Sequence, residues 1–194
     1  MGRVVTVWVL ALGALLGCTG TVGLEPPPRA TEGRPEASLA TPFGVLAVSR
    51  DGVLTLGGRV LDRGALPELA RSPTGRWAAC ARRSPRGSEV VLWGLPEGAR
   101  VVATGALLTA DRPAFSADGR SLYVWGTDPT ERVVGLYRVT VEPVGVARRV
   151  LNLGLASVRD PRFVPPPVEA RSFRAEGASL RWRGPSGEVQ VPAP

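Results

Sequence analysis

Short apolar runs alternate with Gly, Pro, Asp and Ser along most of the chain. Typical runs cover residues 43–48, 90–93, 122–125 and 134–139, rich in Val, Leu, Trp and Tyr. Runs of this length are typical of β-strands, whereas an amphipathic helix needs a sustained period over about ten residues or more. One helix-like stretch, around residues 66–71, is too short to indicate a helix. The pattern therefore predicts an all-β chain.

A turn motif recurs between these runs. Residues 72–76 (SPTGR) resemble residues 116–120 (SADGR) at an offset of 44, and the flanking strand signals stay in register. A third copy, residues 173–180 (FRAEGASL), aligns with residues 115–122 (FSADGRSL) at an offset of 58, and a weaker fourth covers residues 48–54. The repeating unit is therefore strand, turn, strand, loop, strand.

The chemistry of the motif suits a tight turn. An Asp side chain accepts hydrogen bonds within its own turn, and Gly supplies the positive φ that such turns require. We therefore interpret Asp51, Asp118 and Glu176 as residues at equivalent turns, rather than as an acid-catalysis or Ca²⁺ constellation. The turn residues predicted by the repeat are Asp51, Gly52, Gly75, Asp118, Gly119 and Gly177.

The repeat also carries a family resemblance. Residues 115–122 resemble the repeat of TolB-type, WD-like β-propellers, whose blades carry a Phe-Ser-Pro-Asp-Gly turn between strands. Residues 66–153 match two blades of this type well, and residues 43–60 and 160–191 match two more poorly. Thr74 and Glu176 depart from the family pattern, because each replaces the usual Asp. The resemblance implies a partial or small propeller-like array of antiparallel blades.

The length of the chain limits that array. A propeller usually has 4–8 blades of about 40 residues, and residues 42–194 have room for about three or four. Three arrangements stay open: a four-bladed or incomplete propeller, a ring closed with a partner, and a β-sandwich that reuses the hairpin. Because exposed strand edges favour association, an incomplete ring predicts an envelope protein partner or a homo-oligomer.

The N-terminal sequence predicts where the protein is located in the cell. Arg3 is followed by an uncharged stretch that ends in Leu15, Leu16, Gly17 and Cys18. A cation before a short apolar run is typical of a secretory signal, and the run is too short to span a bilayer well. Its end resembles the lipobox of bacterial lipoproteins, which implies lipid attached to Cys18. The alternatives are an ordinary signal peptide with an incidental Cys and an uncleaved signal anchor.

These features divide the chain into three parts. We expect a lipoprotein signal peptide at 1–17, a lipidated Cys18 with a disordered Pro/Gly-rich tether at 18–41, and the β domain at 42–194. The expected location is the cell membrane or outer membrane, on the extracytoplasmic or periplasmic face.

The amino-acid composition excludes several kinds of catalytic and metal-binding site. The chain has 194 residues with 24 cations, all Arg, against 17 Asp and Glu, and it has no His and only two Cys. His-based catalysis, His-ligated metals and a Cys₄ site are therefore excluded. We predict no catalytic residue, metal or cofactor. The net charge of +7 comes from scattered Arg, which favours anionic lipid or cell-wall polymer over nucleic acid.

Cys80 and the aromatic residues could be functional, but we interpret them as residues of the hydrophobic core. Cys80 lies in a predicted strand and is expected to be a small core residue. The aromatic side chains suit packing between blades more than a stacking platform for a glycan or peptide. They are Trp77, Trp93, Tyr123, Trp125, Tyr137 and Trp182.

The sequence as a whole predicts a lipid-anchored envelope lipoprotein that acts as a protein- or envelope-binding scaffold module and is not an enzyme. Two alternatives stay open: a structural lipoprotein with no ligand, and a propeller-type hydrolase or lyase that uses carboxylates.

Overall fold

The structure, a computed structural model, describes residues 35–130, 134–152 and 172–193. The predicted signal peptide, Cys18 and residues 18–34 of the predicted tether lie outside the described residues. Within those ranges, the chain forms no helix with the length and hydropathy needed to cross a bilayer. Its regular structure is β, so the all-β prediction is confirmed, and the stretch at 66–71 belongs to a strand.

Four antiparallel sheets follow one another along the chain, and each is a meander whose strands pair in chain order. The first three sheets have four strands and the last has three described strands. The sheets are β1 (Ala37–Thr41), β2 (Gly44–Val48), β3 (Val53–Leu56), β4 (Arg59–Arg63); β5 (Ala65–Arg71), β6 (Trp77–Ser84), β7 (Gly87–Gly94), β8 (Ala99–Val102); β9 (Thr109–Phe115), β10 (Ser121–Thr127), β11 (Val134–Thr140), β12 (Arg148–Asn152); β13 (Arg174–Glu176), β14 (Ser179–Gly184), β15 (Gly187–Pro192).

The folded domain begins earlier than predicted. Strand β1 lies inside the predicted tether and pairs with β2 along its whole length, from Ala37 opposite Val48 to Thr41 opposite Gly44. The boundary at residue 42 is therefore wrong, and the first sheet begins at residue 37. The small side chains of this segment give little hydrophobic signal, and its strand depends on the ladder that β2 supplies.

Three hydrophobic clusters hold the sheets together, and each joins two consecutive sheets. The clusters pack Leu46 and Leu54 against Trp93, Leu92 against Leu122 and Val124, and Leu136 against Leu180 and Trp182. Among the described residues, no cluster joins the fourth sheet to the first. The four sheets thus form an open, propeller-like array in which the second and third sheets are covered on both faces.

The aromatic residues lie mainly in these clusters. Trp125 packs edge-to-face on Trp182, with ring centroids 5.3 Å apart, and Phe173 packs against both rings. Trp93 is also buried, so the packing interpretation of these rings is confirmed. Cys80 is buried as expected, and burial raises the pKa of its thiol to about 12.

The turns between the first and second strands stand side by side along one rim of the array. Gly75 and Gly119 both have φ of +72°. A Cβ at Gly75 would lie 2.6 Å from the ring of Pro42 in the neighbouring turn, and one at Gly119 would lie 3.3 Å from Cδ of Pro73. Glycine is needed at these positions for both its backbone freedom and its small size.

The turn at Asp51 and Gly52 is not equivalent to the others. Ser49 Oγ donates to Asp51 Oδ1 at 2.5 Å, as Ser116 Oγ donates to Asp118 Oδ1 at 2.6 Å. However, this turn joins β2 to β3, whereas the turns at Gly75, Gly119 and Gly177 join first and second strands. The predicted equivalence of Asp51 is therefore wrong. The motif specifies a local turn, and it does not specify where in a sheet the turn occurs.

The glycine turns allow a graded test. Gly58 has φ of +86° and open space around it, so Gly58→Ala adds backbone strain alone, about 1 kcal/mol. Gly75→Ala adds the clash with Pro42 and should lower the free energy of unfolding by about 2–4 kcal/mol. The loss of stability in Gly119→Ala should lie between those of the other two variants, because its contact with Pro73 is less close. Urea denaturation measures all three, and equal losses would contradict a supporting contact between the turns.

Candidate functional site

A cavity of about 570 Å³ lies where the first strands of the sheets converge. Strand β5 contacts both β1 and β9, and β13 contacts β9, so these strands surround the axis of the array. Three sheets line the cavity with residues of their first strands, β1, β5 and β9. The fourth sheet contributes Phe173, which directly precedes β13. The lining residues are Pro35, Glu36, Ala37, Ser38, Leu39, Pro67, Glu68, Leu69, Arg112, Pro113 and Phe173.

The two middle inner strands are irregular where they line this cavity. The pairing of β5 with β6 shifts register between Ala65 and Leu69, and the pairing of β9 with β10 shifts between Tyr123 and Trp125. Pro67 and Pro113 lie in these segments and cannot donate a ladder hydrogen bond. Register shifts of this kind redirect side chains, and here the irregular segments bring Glu68 and Arg112 to the cavity wall.

Arg112 has an unusual backbone. Its φ is +48°, and it is the one non-glycine residue with positive φ in the described part of the chain. This conformation costs about 1–2 kcal/mol for a residue with a Cβ. Backbone strain of this kind persists where the surrounding structure enforces it, often at binding sites.

Burial and neighbouring charges shift the pKa values of the acidic groups at and beside the cavity. Burial raises the pKa of Glu68, and the carboxylates of Asp111 and Glu36 add to the rise while the Arg112 guanidinium opposes it. Burial likewise raises the pKa of Asp111, against the effect of Arg112, whose Nη1 lies 3.5 Å from Asp111 Oδ1. The buried carboxyl groups thus have a weakened preference for the charged form.

Three polar atoms of this cluster lack a hydrogen bond. Oε2 of Glu68, Oδ1 of Asp111 and Nε of Arg112 are buried and have no hydrogen-bond partner among the described residues. Buried polar atoms are normally satisfied. Of these three residues, Glu68 and Arg112 line the cavity, while Asp111 Oδ1 faces Arg112 Nη1 in an ion pair, so Glu68 and Arg112 are the charged side chains that the cavity offers to a ligand. Apolar walls stand beside them at Leu39 and Phe173. The cavity therefore suits a ligand that combines apolar groups with hydrogen-bonding or charged groups.

The residues predicted from sequence lie elsewhere. Gly75, Asp118, Gly119 and Gly177 lie at turns on one rim, and Asp51 and Gly52 lie beside Ala65, at the far end of β5 from the Gly75 turn. None of them lines the central cavity. Hydrogen bonds from Ser49 and Ser116 lower the pKa values of Asp51 and Asp118, which fits a role as ionised turn caps. In the described residues, no group of three or more acidic or Cys side chains could hold a metal ion.

Sequence reasoning missed Glu68, Asp111 and Arg112. A usable signal was present, because proline inside a strand indicates a bulge or an edge, and Pro67 and Pro113 both lie in strands. It went unused because the stretch around residues 66–71 resembled a helix in the sequence. Glu68 and Arg112 also lie 44 residues apart, the offset of the main repeat. The equivalent position in two blades is therefore charged and of opposite sign.

Comparison with known proteins shows the fold. No protein-family model and no curated protein sequence matches the chain. A structure from Agrobacterium tumefaciens assigned as TolB matches with a TM-score of 0.55 and 17% identity over 80% of this chain. TolB from Acinetobacter baumannii matches 76% of it with a TM-score of 0.49 and 17% identity. The chain spans 57% and 34% of those two proteins. The match to the Agrobacterium tumefaciens structure shows that this chain has a TolB-like, propeller-type fold.

The strain at Arg112 can be measured with two truncations. Arg112→Gly and Arg112→Ala both remove the guanidinium, but only glycine adopts a φ of +48° without a steric penalty. We expect the free energy of unfolding of the glycine variant to exceed that of the alanine variant by about 1 kcal/mol. Equal stabilities in urea denaturation would contradict a strained backbone at this position.

Proposed function

We propose that this chain is a lipid-anchored module of the bacterial cell envelope that binds a segment of another envelope protein in its central cavity. In this proposal, residues 1–17 are removed as a signal peptide, Cys18 carries the lipid, and the residues before β1 tether the domain to the membrane. The lipobox-like end of the apolar run and the TolB-like fold support the envelope location.

The observation that carries the binding proposal is the unsatisfied cluster in the cavity. Glu68 Oε2 needs a donor, and Arg112 Nε needs an acceptor. Every residue of an extended peptide other than proline presents one N–H and one C=O, so a peptide segment supplies both kinds of group. The cavity walls at Leu39 and Phe173 provide contacts for apolar side chains.

Two alternatives from the sequence are weighed against this cluster. The first alternative, a structural lipoprotein with no ligand, does not account for the backbone strain at Arg112 or for the unsatisfied polar atoms. A carboxylate hydrolase or lyase has one observation in its favour, because Glu68 has a raised pKa and Glu36 lines the same cavity. Turnover of an ester, peptide or glycoside that is lost in Glu68→Gln would favour that enzyme.

The anchor is tested at Cys18. In Cys18→Ser the thiol that accepts the lipid is absent, so the full chain should no longer incorporate labelled fatty acid. It should either stay as an unprocessed precursor, about 17 residues longer than the mature form, or be released from the membrane. A matched control is Cys80→Ser, which keeps Cys18 and should incorporate the label. Equal labelling of Cys18→Ser and the natural chain would reject the lipid anchor.

The cavity is tested by recovery of partners. The full chain is crosslinked in cells and purified, and co-purified envelope proteins are quantified by mass spectrometry. We expect at least one protein to fall by about tenfold or more in Glu68→Gln and Arg112→Gly, since each removes a charged hydrogen-bonding group worth roughly 1.5–3 kcal/mol.

Matched controls change the same residue types away from the cavity. Glu176→Gln and Arg174→Gln alter exposed charges on the fourth sheet and should leave recovery unchanged. Identical protein profiles for cavity and control variants would reject binding in the cavity.

A further inference from the structure

The central cavity carries an excess of negative charge in a chain that is positively charged as a whole. Among the described residues, its lining has two acidic side chains, Glu36 and Glu68, and one basic side chain, Arg112. Asp111 adds a third carboxylate beside the cavity. The full chain has 24 Arg against 17 Asp and Glu, so the charge at the cavity is opposite in sign to that of the protein.

The positive charge of Arg112 already has a partner. Its Nη1 lies 3.5 Å from Oδ1 of Asp111, and both side chains are partly buried, where ion pairs are screened less than at the surface. An anionic ligand group at Arg112 would have to compete with the Asp111 carboxylate. It would also meet the Glu68 carboxylate on the wall of the same cavity. The cavity is therefore poorly suited to an anion.

The negative charge of Glu68 is less well compensated. Burial raises its pKa, and the carboxylates of Asp111 and Glu36 raise it further, while the Arg112 guanidinium lowers it. Its Oε2 is buried and accepts no hydrogen bond from the described residues. An opposite charge within about 4–6 Å favours the charged form of a carboxyl group. A cationic ligand group would therefore both stabilise the Glu68 carboxylate and supply the donor that Oε2 lacks.

We propose that the segment bound in the central cavity presents a basic side chain, arginine or lysine, to Glu68 and an apolar side chain to the wall formed by Leu39 and Phe173. This inference rests on the proposed function and specifies the chemistry of its ligand. In this arrangement Arg112 Nε, which has no acceptor among the described residues, donates to a backbone carbonyl of the segment. A neutral carbonyl does not need to displace Asp111 from the guanidinium.

The size and the donor set of the cavity favour a side-chain cation over a metal ion. Its volume of about 570 Å³ lies within the usual range of ligand pockets, roughly 300–1,000 Å³, so it has room for a few side chains. In the part of the chain that the structure describes, no three acidic or Cys side chains converge as metal ligands. An ammonium or guanidinium group needs only one carboxylate for a charge-assisted hydrogen bond, and Glu68 provides it.

Three pools of hexapeptides, blocked at both ends, test the charge of the ligand. The pools are identical mixtures of neutral residues except at the third position, which is arginine, its uncharged analogue citrulline, or glutamate. The full chain, solubilised in detergent and immobilised, should retain the arginine pool about tenfold better than the citrulline pool, since charge-assisted hydrogen bonds are roughly twice as strong as neutral ones. The glutamate pool should be retained least. Non-specific attraction to the positively charged chain would favour glutamate, so it cannot produce this order.

Matched variants assign the preference to the cavity. Glu68→Gln keeps the shape of the side chain and removes its charge, so the arginine and citrulline pools should be retained almost equally. Asp111→Asn releases Arg112 from its ion pair and should raise retention of the glutamate pool. Glu176→Gln removes an exposed carboxylate on the fourth sheet and should change nothing. A preference for arginine that persists in Glu68→Gln would overturn the inference.

Leu39→Trp separates the inference from the proposed function, because it fills the cavity without changing its charge. Loss of retention in Leu39→Trp, together with equal or better retention of the citrulline or glutamate pool by the natural chain, would overturn the basic side chain alone. Equal retention of every pool by Leu39→Trp and the natural chain would reject peptide binding in the cavity, and the inference with it. Unchanged melting temperatures show that the variants are folded.

Discussion

The need to cover both faces of each apolar sheet controls this structure. In the second sheet, Ala78 and Cys80 pack toward the first sheet, while Ala79 and Ala81 pack toward the third. The next strand alternates in the same way but with larger residues, Leu92 on one side and Trp93 on the other. Small residues on β6 and large ones on β7 allow neighbouring sheets to diverge away from the axis, which is the geometry of propeller blades. The continuous apolar runs in the sequence follow from burial on two faces.

The same divergence accounts for the cavity. Sheets that spread apart at their later strands approach one another most closely at β1, β5 and β9, where their first strands surround the axis. Two proline-interrupted strands there leave a space that side chains fill only in part. Glu68 and Arg112 occupy this space with unsatisfied atoms. Beyond the irregular inner strands, β6 pairs regularly with β7, and β10 pairs regularly with β11. The strain at Arg112 is therefore supported by the packing of the array, and it occurs where the array has its least regular backbone.

Much of the fold could be predicted because the signals were local. Residues 90–93 and 122–125 lie within predicted strands because apolar β-rich runs need no long-range information to be recognised. The turns at Gly75 and Gly119 could be predicted for the same reason. The position of the Asp51 turn could not, because a Ser-x-Asp-Gly turn forms the same hydrogen bonds between any two antiparallel strands. Strand β1 was missed because its side chains are small, and it depends on pairing with β2. The cavity residues were missed because their importance arises when distant strands converge.

The open array also determines how the outer faces behave. A closed ring would cover the first and last sheets against each other, and each would then need an apolar outer face. Instead, the fourth sheet places paired Arg and Glu side chains on its outer face, where water and neighbouring charges stabilise them. The first sheet keeps an apolar outer face. Burying the charged face against the apolar one would remove several ions from water with no new partners, at a cost of several kcal/mol per ion. This mismatch opposes closure of the four sheets into a ring, and it also opposes head-to-tail stacking of separate copies.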